Sequence, residues 1–282
     1  FNLEVFDFDF LLLVIIPSFF ILVVGLVDDI FAISPFIRLG LQFFVSSLVW
    51  ANGLGINLID FSLLGYENEF LLPKYLSYVL TTFWFSGVTN SINWLDGLDG
   101  LAAGFSSIAL FFFALINFIN GNYEISILSA VICGSCIAFL SKNLKPAKIY
   151  MGDSGSYFLG FNIAAISLLT KYSEFDSEYN FTRNVIKPEI IGLILFIPLV
   201  DMCYVIISRI SKGRNPLFPD KKHIHHRLLR MGYGVNTSLL LLCSITVFFS
   251  SISLFILNIN FAFPMILLSI IFILLLQDRK LS

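Results

Sequence analysis

Long apolar segments, separated by short polar ones, constrain the fold of this chain more than any other feature. Hydrophobic residues make up 57% and charged residues 13% of its 282 residues. Backbone N–H and C=O groups inside hydrocarbon must be satisfied within their own segment, so spans of this length should be helices. The sequence therefore predicts an all-α fold, a polytopic transmembrane helical bundle in which residues 1–282 form a single integral membrane domain.

About 20 mostly apolar residues are needed to cross a lipid bilayer, and nine segments of the chain are candidates. They are approximately residues 8–27, 36–51, 75–92, 101–119, 124–141, 155–170, 189–208, 237–257 and 260–276. The long polar connection over residues 209–236 is predicted to be a cytoplasmic loop within the domain.

The positions of Lys and Arg predict the orientation, because positively charged loops stay in the cytoplasm. If Asp28 and Asp29 face the cytoplasm, thirteen of the 17 Lys and Arg residues lie on that side and four on the other. The opposite loops, residues 52–74 and 171–188, carry an acidic excess that we interpret as solvated surface. No basic run with interleaved aromatic residues indicates a nucleic-acid partner.

Four polar clusters lie between or at the ends of predicted spans on the cytoplasmic side, and the first contains Asp28 and Asp29. Two adjacent carboxylates at a membrane boundary repel one another unless a cation or a proton resolves the conflict. They indicate either a Mg²⁺ site or a shared proton. The alternative is an ordinary interfacial pair that ends a helix.

The second cluster, NWLDGLDG, extends a series in which Asn90, Asn93, Asp96 and Asp99 recur every three residues. We expect these side chains to point roughly the same way from a helix or a turn. The glycines permit tight turns and close approach of a ligand. A DGxDG motif on its own would also suit a calcium-binding loop.

The third cluster, MGDSGS, places Asp153 at the predicted start of a helix, shortly after three lysines. Exposed N–H groups at a helix N-terminus favour phosphate or another anion. Asp153 is therefore a candidate ligand for a metal that neutralises that anion, and the alternative is an N-cap aspartate.

The fourth cluster contains all three histidines of the protein, His223, His225 and His226, followed by Arg227. Zinc ligation is one interpretation, but the basic flanks favour phosphate, so we interpret these side chains as donors to a diphosphate. Asp201 lies inside a predicted span, where an ionised group is costly, and is either functional or paired with a basic side chain.

The motifs VDD, NxxDGxDGLA, MGDxGS and HIHH occur in this order from residue 24 to about residue 234. In this the chain resembles the polyprenyl-phosphate N-acetylhexosamine-1-phosphate transferases, especially the bacterial undecaprenyl-phosphate GlcNAc-1-phosphate transferase branch. The resemblance implies transfer of a sugar 1-phosphate from a UDP-sugar to undecaprenyl phosphate with release of UMP. It also implies Mg²⁺, or Mn²⁺ in its place, and a bacterial inner-membrane location as the first membrane step of a cell-surface polysaccharide pathway.

The resemblance assigns a role to each matching position. Asp153 matches the Mg²⁺ ligand, with Asn93 as a weaker metal candidate. Asp28 matches a carboxylate proposed to deprotonate the lipid phosphate, and Asp29 is its companion. The other matches are Asp96 and Asp99, which organise nucleotide and phosphates; Asn90 and Asn143, which bind substrate; Tyr150, which can stack on uracil; and His223, His225, His226 and Arg227 of the phosphate-binding loop.

One departure from the family pattern concerns the start of the chain. Family members usually carry two earlier helices, which would bring the nine predicted spans to eleven. An inactive truncated homologue is therefore an alternative interpretation, and a secondary transporter is a weaker one, because no internal repeat is evident. A homodimer is a further possibility.

Overall fold

The computed structural model describes residues 11–61, 69–172, 185–216, 222–259 and 262–278. Predictions that involve other residues, such as the start of the first span and the acidic residues of 173–184, lie outside this part of the chain. Within it, a short π-helical segment, Leu11–Ile15, leads into eleven α-helices. These are α1 (Ile16–Phe31), α2 (Pro35–Ala51), α3 (Lys74–Leu95), α4 (Leu101–Ile119), α5 (Tyr123–Asn143), α6 (Gly152–Leu169), α7 (Pro188–Ile194), α8 (Phe196–Ile210), α9 (Ile224–Arg230), α10 (Val235–Ile256) and α11 (Ala262–Asp278).

Helix α6 is the central helix of the bundle and packs against both α1 and α3. From Ser156 to its end, all of its residues except Phe158 are buried. Helix α1 approaches it closely at Gly25, where an added Cβ would lie 2.5 Å from the Cα atom of Ser154. A glycine at this position therefore lets the first turn of α6 lie directly against the last turns of α1.

The predicted helical bundle is confirmed, since each of the nine predicted segments is helical over nearly all of its described residues. Among the described residues, four helices are long and apolar enough to cross a membrane, or five if the bent pair α7 and α8 forms one span. Helices α3 and α6 are not among them, because buried polar residues such as Ser77, Thr81 and Asn162 reduce their hydropathy. A total of nine spans stays a prediction.

The predicted span over residues 189–208 is not one continuous helix. Helices α7 and α8 meet at an angle of 87° around Leu195. Pro198 has no backbone N–H, so the carbonyl of Ile194 lacks its usual helical partner four residues later. This loss of a hydrogen bond explains why the helix bends here.

Three two-residue strands in the two acidic loops form a small sheet, which an all-α prediction does not include. Strand β1 (Leu58–Ile59) pairs antiparallel with β2 (Phe70–Leu71) and parallel with β3 (Val185–Ile186). An ion pair of 3.1 Å between Lys187 and Asp60 adjoins the sheet. Strands this short leave no alternating pattern in the sequence, so the prediction of plain solvated surface for these loops was incomplete.

Candidate active site at one end of the helical bundle

The polar clusters of the sequence meet in one pocket of about 320 Å³ at an end of the bundle. Three carboxylates and three imidazoles line it, although they come from positions as distant as Asp29 and His226 in the chain. The lining residues are Asp29, Asn93, Trp94, Asp96, Gly97, Gly152, Asp153, His223, His225 and His226. Seven of the thirteen side chains predicted for the site therefore share a single pocket.

Asp29 caps the central helix α6 from the neighbouring helix α1. Its Oδ1 accepts a hydrogen bond of 2.7 Å from the N–H of Asp153, and its Oδ2 accepts one of 3.0 Å from the N–H of Ser154. Gly152 has a φ of +67°, and an added Cβ would lie 2.8 Å from the Asp29 carboxylate. Two of the N–H groups predicted to favour phosphate or another anion are thus occupied by a carboxylate of the protein itself, and phosphate binding at this turn stays a prediction.

Asp28 points away from Asp29 and has different partners. It is 5% exposed, and its Oδ2 accepts hydrogen bonds from Arg38 at 2.7 Å and from the Tyr157 hydroxyl at 3.2 Å. Arg38 also lies 3.9 Å from Asp153. Each aspartate therefore has its own protein partners, and the metal site or shared proton predicted for this pair stays a prediction.

Asn93 joins the end of α3 to the first turn of α6. Its Nδ2 donates to the Asp153 carboxylate at 2.5 Å and lies 2.9 Å from the Ser156 hydroxyl. Asp96 follows the last residue of α3. Burial, followed by the negative charges of Asp153 and Asp29, raises the pKa of Asp96 to about 7. A cation in the pocket would therefore favour its ionised form.

The expectation that residues spaced by three would share one face is wrong for the series as a whole. The step from Asn90 to Asn93 within α3 falls about 60° short of a full turn, and the helix ends at Leu95, so Asp96 and Asp99 lie in the turn that follows it. Asn90 accordingly donates to Gln42 at 2.6 Å, and the Asp99 carboxylate accepts from the N–H of Ala147 at 3.3 Å. Only Asn93 and Asp96 of the series line the pocket.

The histidine cluster enters the pocket at the start of α9. His225 is 1% exposed, and neither of its ring nitrogens has a hydrogen-bond partner among the described residues. Its Nε2 lies over Gly97, where an added Cβ would be 2.6 Å away. Burial and the neighbouring imidazoles lower the pKa of His225 to about 4, so this ring is neutral at pH 7. A neutral ring can donate only one hydrogen bond to a phosphate.

Three further predicted residues, Asn143, Tyr150 and Arg227, do not line the pocket. Asn143 accepts from the N–H of Gly100 and donates to the carbonyl of Ile149, so it connects two loops. Tyr150 is 77% exposed. The guanidinium of Arg227 lies 4.7 Å from the ring of Tyr204 on α8, outside the pocket lining. Their substrate-binding roles, like that of Asp99, stay predictions.

Three side chains at the site were not among the residues predicted for it. Trp94 lines the pocket and lies between the motif residues Asn93 and Leu95, where only its size marks it. Arg38 is the one basic residue of the apolar helix α2. In the sequence its charge indicated only the orientation of the chain in the membrane. Asp201 was singled out because of its charge within a span, but its partner was unknown until the structure placed it beside His223.

Among the described residues, no three His, Cys, Asp or Glu side chains are arranged to hold a metal ion without other ligands. Mg²⁺ does not need such a group, because it usually binds one or two carboxylates together with substrate phosphates and water. The carboxylates of Asp153 and Asp96 supply oxygen ligands of the kind Mg²⁺ prefers, and both face the pocket. The donor set therefore fits Mg²⁺ bound jointly with a phosphorylated substrate.

The fold and the pocket together define an integral membrane protein with a polar, ligand-sized site at one end of an apolar helical bundle. The chain belongs to glycosyl transferase family 4, whose model matches residues 11–171. That match covers α1 to α6, and therefore both Asp29 and the central helix that it caps.

Individual relatives are similar over a larger part of the chain. A probable undecaprenyl-phosphate N-acetylglucosaminyl 1-phosphate transferase of Bacillus subtilis is 37% identical over 235 residues, which are 83% of this chain and 63% of that protein. The decaprenyl-phosphate N-acetylglucosaminephosphotransferase of Mycobacterium leprae is 33% identical over 231 residues, covering 78% and 58%. The undecaprenyl-phosphate alpha-N-acetylglucosaminyl 1-phosphate transferase of Escherichia coli K12 is 30% identical over 217 residues, covering 74% and 56%. The chain thus spans less than two thirds of the length of these relatives.

Proposed function

We propose that this protein transfers a sugar 1-phosphate, N-acetylhexosamine 1-phosphate, from a UDP-sugar to undecaprenyl phosphate and releases UMP. The names of the Bacillus subtilis and Escherichia coli relatives support the polyprenyl-phosphate acceptor and the N-acetylglucosaminyl group in this proposal. N-acetylglucosamine is accordingly the sugar to test first. We further propose that the protein lies in a bacterial inner membrane with the pocket on the cytoplasmic side, because the loops predicted on that side carry most of the Lys and Arg residues. We also propose that the product begins a cell-surface polysaccharide.

The observation that carries the proposal is the meeting of Asp29, Asp96 and Asp153 with the histidine cluster in one pocket at the end of an apolar bundle. A transferase that joins a water-soluble nucleotide sugar to a membrane lipid needs its reacting groups at this boundary. Carboxylates alone would repel two phosphorylated substrates, so a cation and nearby hydrogen-bond donors are required. The pocket offers sites for both.

We propose Mg²⁺ as the cofactor, with Mn²⁺ as a substitute, held by Asp153 and Asp96 with Asn93 as an auxiliary ligand. When bound, the ion neutralises the diphosphate and stabilises the negative charge of the departing UMP. Asn93 already contacts Asp153 at 2.5 Å, so it orients this carboxylate toward the pocket. Asp29 holds the backbone of the same turn through its two N–H contacts.

The reaction that we propose is a direct displacement. An oxygen of the lipid phosphate forms a bond with the β-phosphorus of the UDP-sugar, and the bond from that phosphorus to the bridging oxygen breaks, so the electron pair leaves with UMP. The pocket contributes mainly by positioning the two substrates. A double displacement through an aspartyl intermediate is the rival, and trapping a phosphosugar–protein adduct in a single turnover would favour it.

Membranes containing the full chain, incubated with radiolabelled UDP-N-acetylglucosamine, undecaprenyl phosphate and Mg²⁺, test the proposal. We expect lipid-linked label and stoichiometric UMP, and we expect both to disappear with chelator or in Asp153→Asn. Asp60→Asn is the matched control, because Asp60 is ion-paired in the loop after β1, away from the pocket. Label that enters vesicles without UMP would indicate a transporter. Binding of nucleotide sugar without any product would indicate an inactive homologue.

A further inference from the structure

Asp201 is a buried carboxylate on α8 that the proposed reaction does not use. It is 4% exposed and lies in a mainly apolar helix. Both of its oxygens contact the start of the histidine loop: Oδ2 lies 2.7 Å from Nδ1 of His223, and Oδ1 accepts a hydrogen bond of 2.7 Å from the N–H of Ile224. A buried charge with two short contacts to one loop holds that loop in place.

The same contact determines how the ring of His223 is oriented. The edge of the ring packs against Trp94 on α3 at a centroid distance of 5.3 Å, and the guanidinium of Arg209 on α8 lies 4.9 Å from the centre of the same Trp94 ring. His223 is 7% exposed but lines the pocket. Packing on Trp94 and the contact with Asp201 therefore leave the ring little freedom to turn.

Hydrogen bonding at one ring nitrogen fixes the role of the other. A carboxylate accepts but cannot donate, so the nitrogen that faces Asp201 must carry the proton. The two nitrogens lie on opposite sides of the five-membered ring. In the neutral ring, Nε2 is therefore the nitrogen with the free lone pair, and it is the one that His223 can present to the pocket.

We propose that Asp201 is a positioning residue, which holds His223 as the Nδ1–H tautomer so that the lone pair of Nε2 meets the substrate. The substrate group at this position must bring a hydrogen, as a phosphate monoester does before it loses its last proton. The lone pair of His223 Nε2 then accepts a hydrogen bond from that group. This inference rests on the proposed function, but the state of the ring can be measured without any reaction.

The presence of only three histidines makes the ring state directly measurable. The full chain, labelled with ¹⁵N-histidine and held in detergent at pH 8, gives three imidazole spin systems, and His223→Gln identifies one of them by its loss. We expect the wild-type His223 to carry its proton on Nδ1. A proton on Nε2 in the wild-type protein would overturn the proposal, whatever the variants do.

Asp201→Asn keeps the shape of the side chain but replaces one acceptor with an NH₂ donor. The amide keeps its oxygen for the N–H of Ile224 and donates to Nδ1, so we expect the His223 proton to move to Nε2. Transfer to lipid should fall about 100-fold in kcat, with a smaller change in KM for the UDP-sugar, because a wrong tautomer disables an otherwise intact site. Asp60→Asn serves as the control and should change neither signal.

The two proposals fail in different ways. If the wild-type chain releases no UMP, the proposed function fails, while the tautomer measurement still decides the role of Asp201. If Asp201→Asn retains the Nδ1 proton and the wild-type kcat, Asp201 serves only the packing of α8 and the inference is wrong. If the variant does not fold, the wild-type spectrum still tests the proposal: a proton on Nε2 overturns it, and a proton on Nδ1 supports it.

Discussion

Acid should destabilise this protein through His225, by an amount that follows from its burial. In an unfolded chain the ring takes up a proton near pH 6.5, but in the folded protein it does so only near pH 4. Between these values the proton binds preferentially to the unfolded state. The stability that the neutral ring provides is therefore complete above pH 6.5 and is lost as the pH falls to about 4.

The size of this loss follows from the two pKa values. Each tenfold difference in proton affinity corresponds to about 1.4 kcal/mol, so the change from 6.5 to about 4 gives about 3 kcal/mol in total. At pH 5 the expected loss is about 2 kcal/mol. His225→Gln removes the titrating ring, so the variant should escape most of this loss, although the substitution itself lowers its stability at pH 7.

The free energy of unfolding of both proteins can be measured by SDS titration in mixed micelles, followed by tryptophan fluorescence, at pH 7, 6, 5 and 4. The quantity to compare is the change between pH 7 and pH 4 in each protein, because losses from the carboxylates occur in both. His226→Gln is the matched control and should keep most of the wild-type acid dependence. An equal loss in wild type and His225→Gln would refute the view that a buried neutral ring causes it.

Three other substitutions test contacts on which the site depends. Gly25→Ala should lower the free energy of unfolding by about 1–3 kcal/mol, because its Cβ would clash with the backbone of Ser154; unchanged thermal unfolding would contradict this close approach. Arg38→Gln should cost about 3 kcal/mol by leaving Asp28 buried without its ion pair, and the double variant with Asp28→Asn should recover most of the loss in a double-mutant cycle. Asp29→Ala should cost about 1–2 kcal/mol through loss of the cap of α6, and hydrogen exchange at the first turn of that helix should accelerate; unaltered exchange would argue against capping.

The sequence predicted the helical class and the convergence of the motifs because both depend on local, strongly contrasting composition. Asp29, Asn93 and Asp153 stand out as polar residues at the ends of apolar segments, and such ends must meet at a membrane boundary. The direction of each side chain could not be predicted in the same way. Asp28 and Asp29 are neighbours in the chain, but a step of about 100° around the helix separates the one that binds Arg38 from the one that caps α6.

Contacts between side chains from distant segments could not be predicted from the sequence either. Nothing in the chain pairs Asp201 with His223, which lie 22 positions apart across a loop. The bend at Leu195 was missed for a similar reason, because Pro198 marks a missing N–H but not the angle that the helix then takes. The small sheet depends on contacts between loops that are far apart in sequence, and its strands are too short to show any periodicity.

Because α7 and α8 meet at 87°, a small change in this angle would displace the side chains farther along α8. Asp201 lies five residues beyond Phe196, which is about 7.5 Å along the axis. Tilting α8 by about 10° would carry the carboxylate about 1.3 Å, enough to stretch its 2.7 Å contact with His223 beyond hydrogen-bonding range. The contact between Asp201 and His223 therefore depends on α8 keeping its angle to α7.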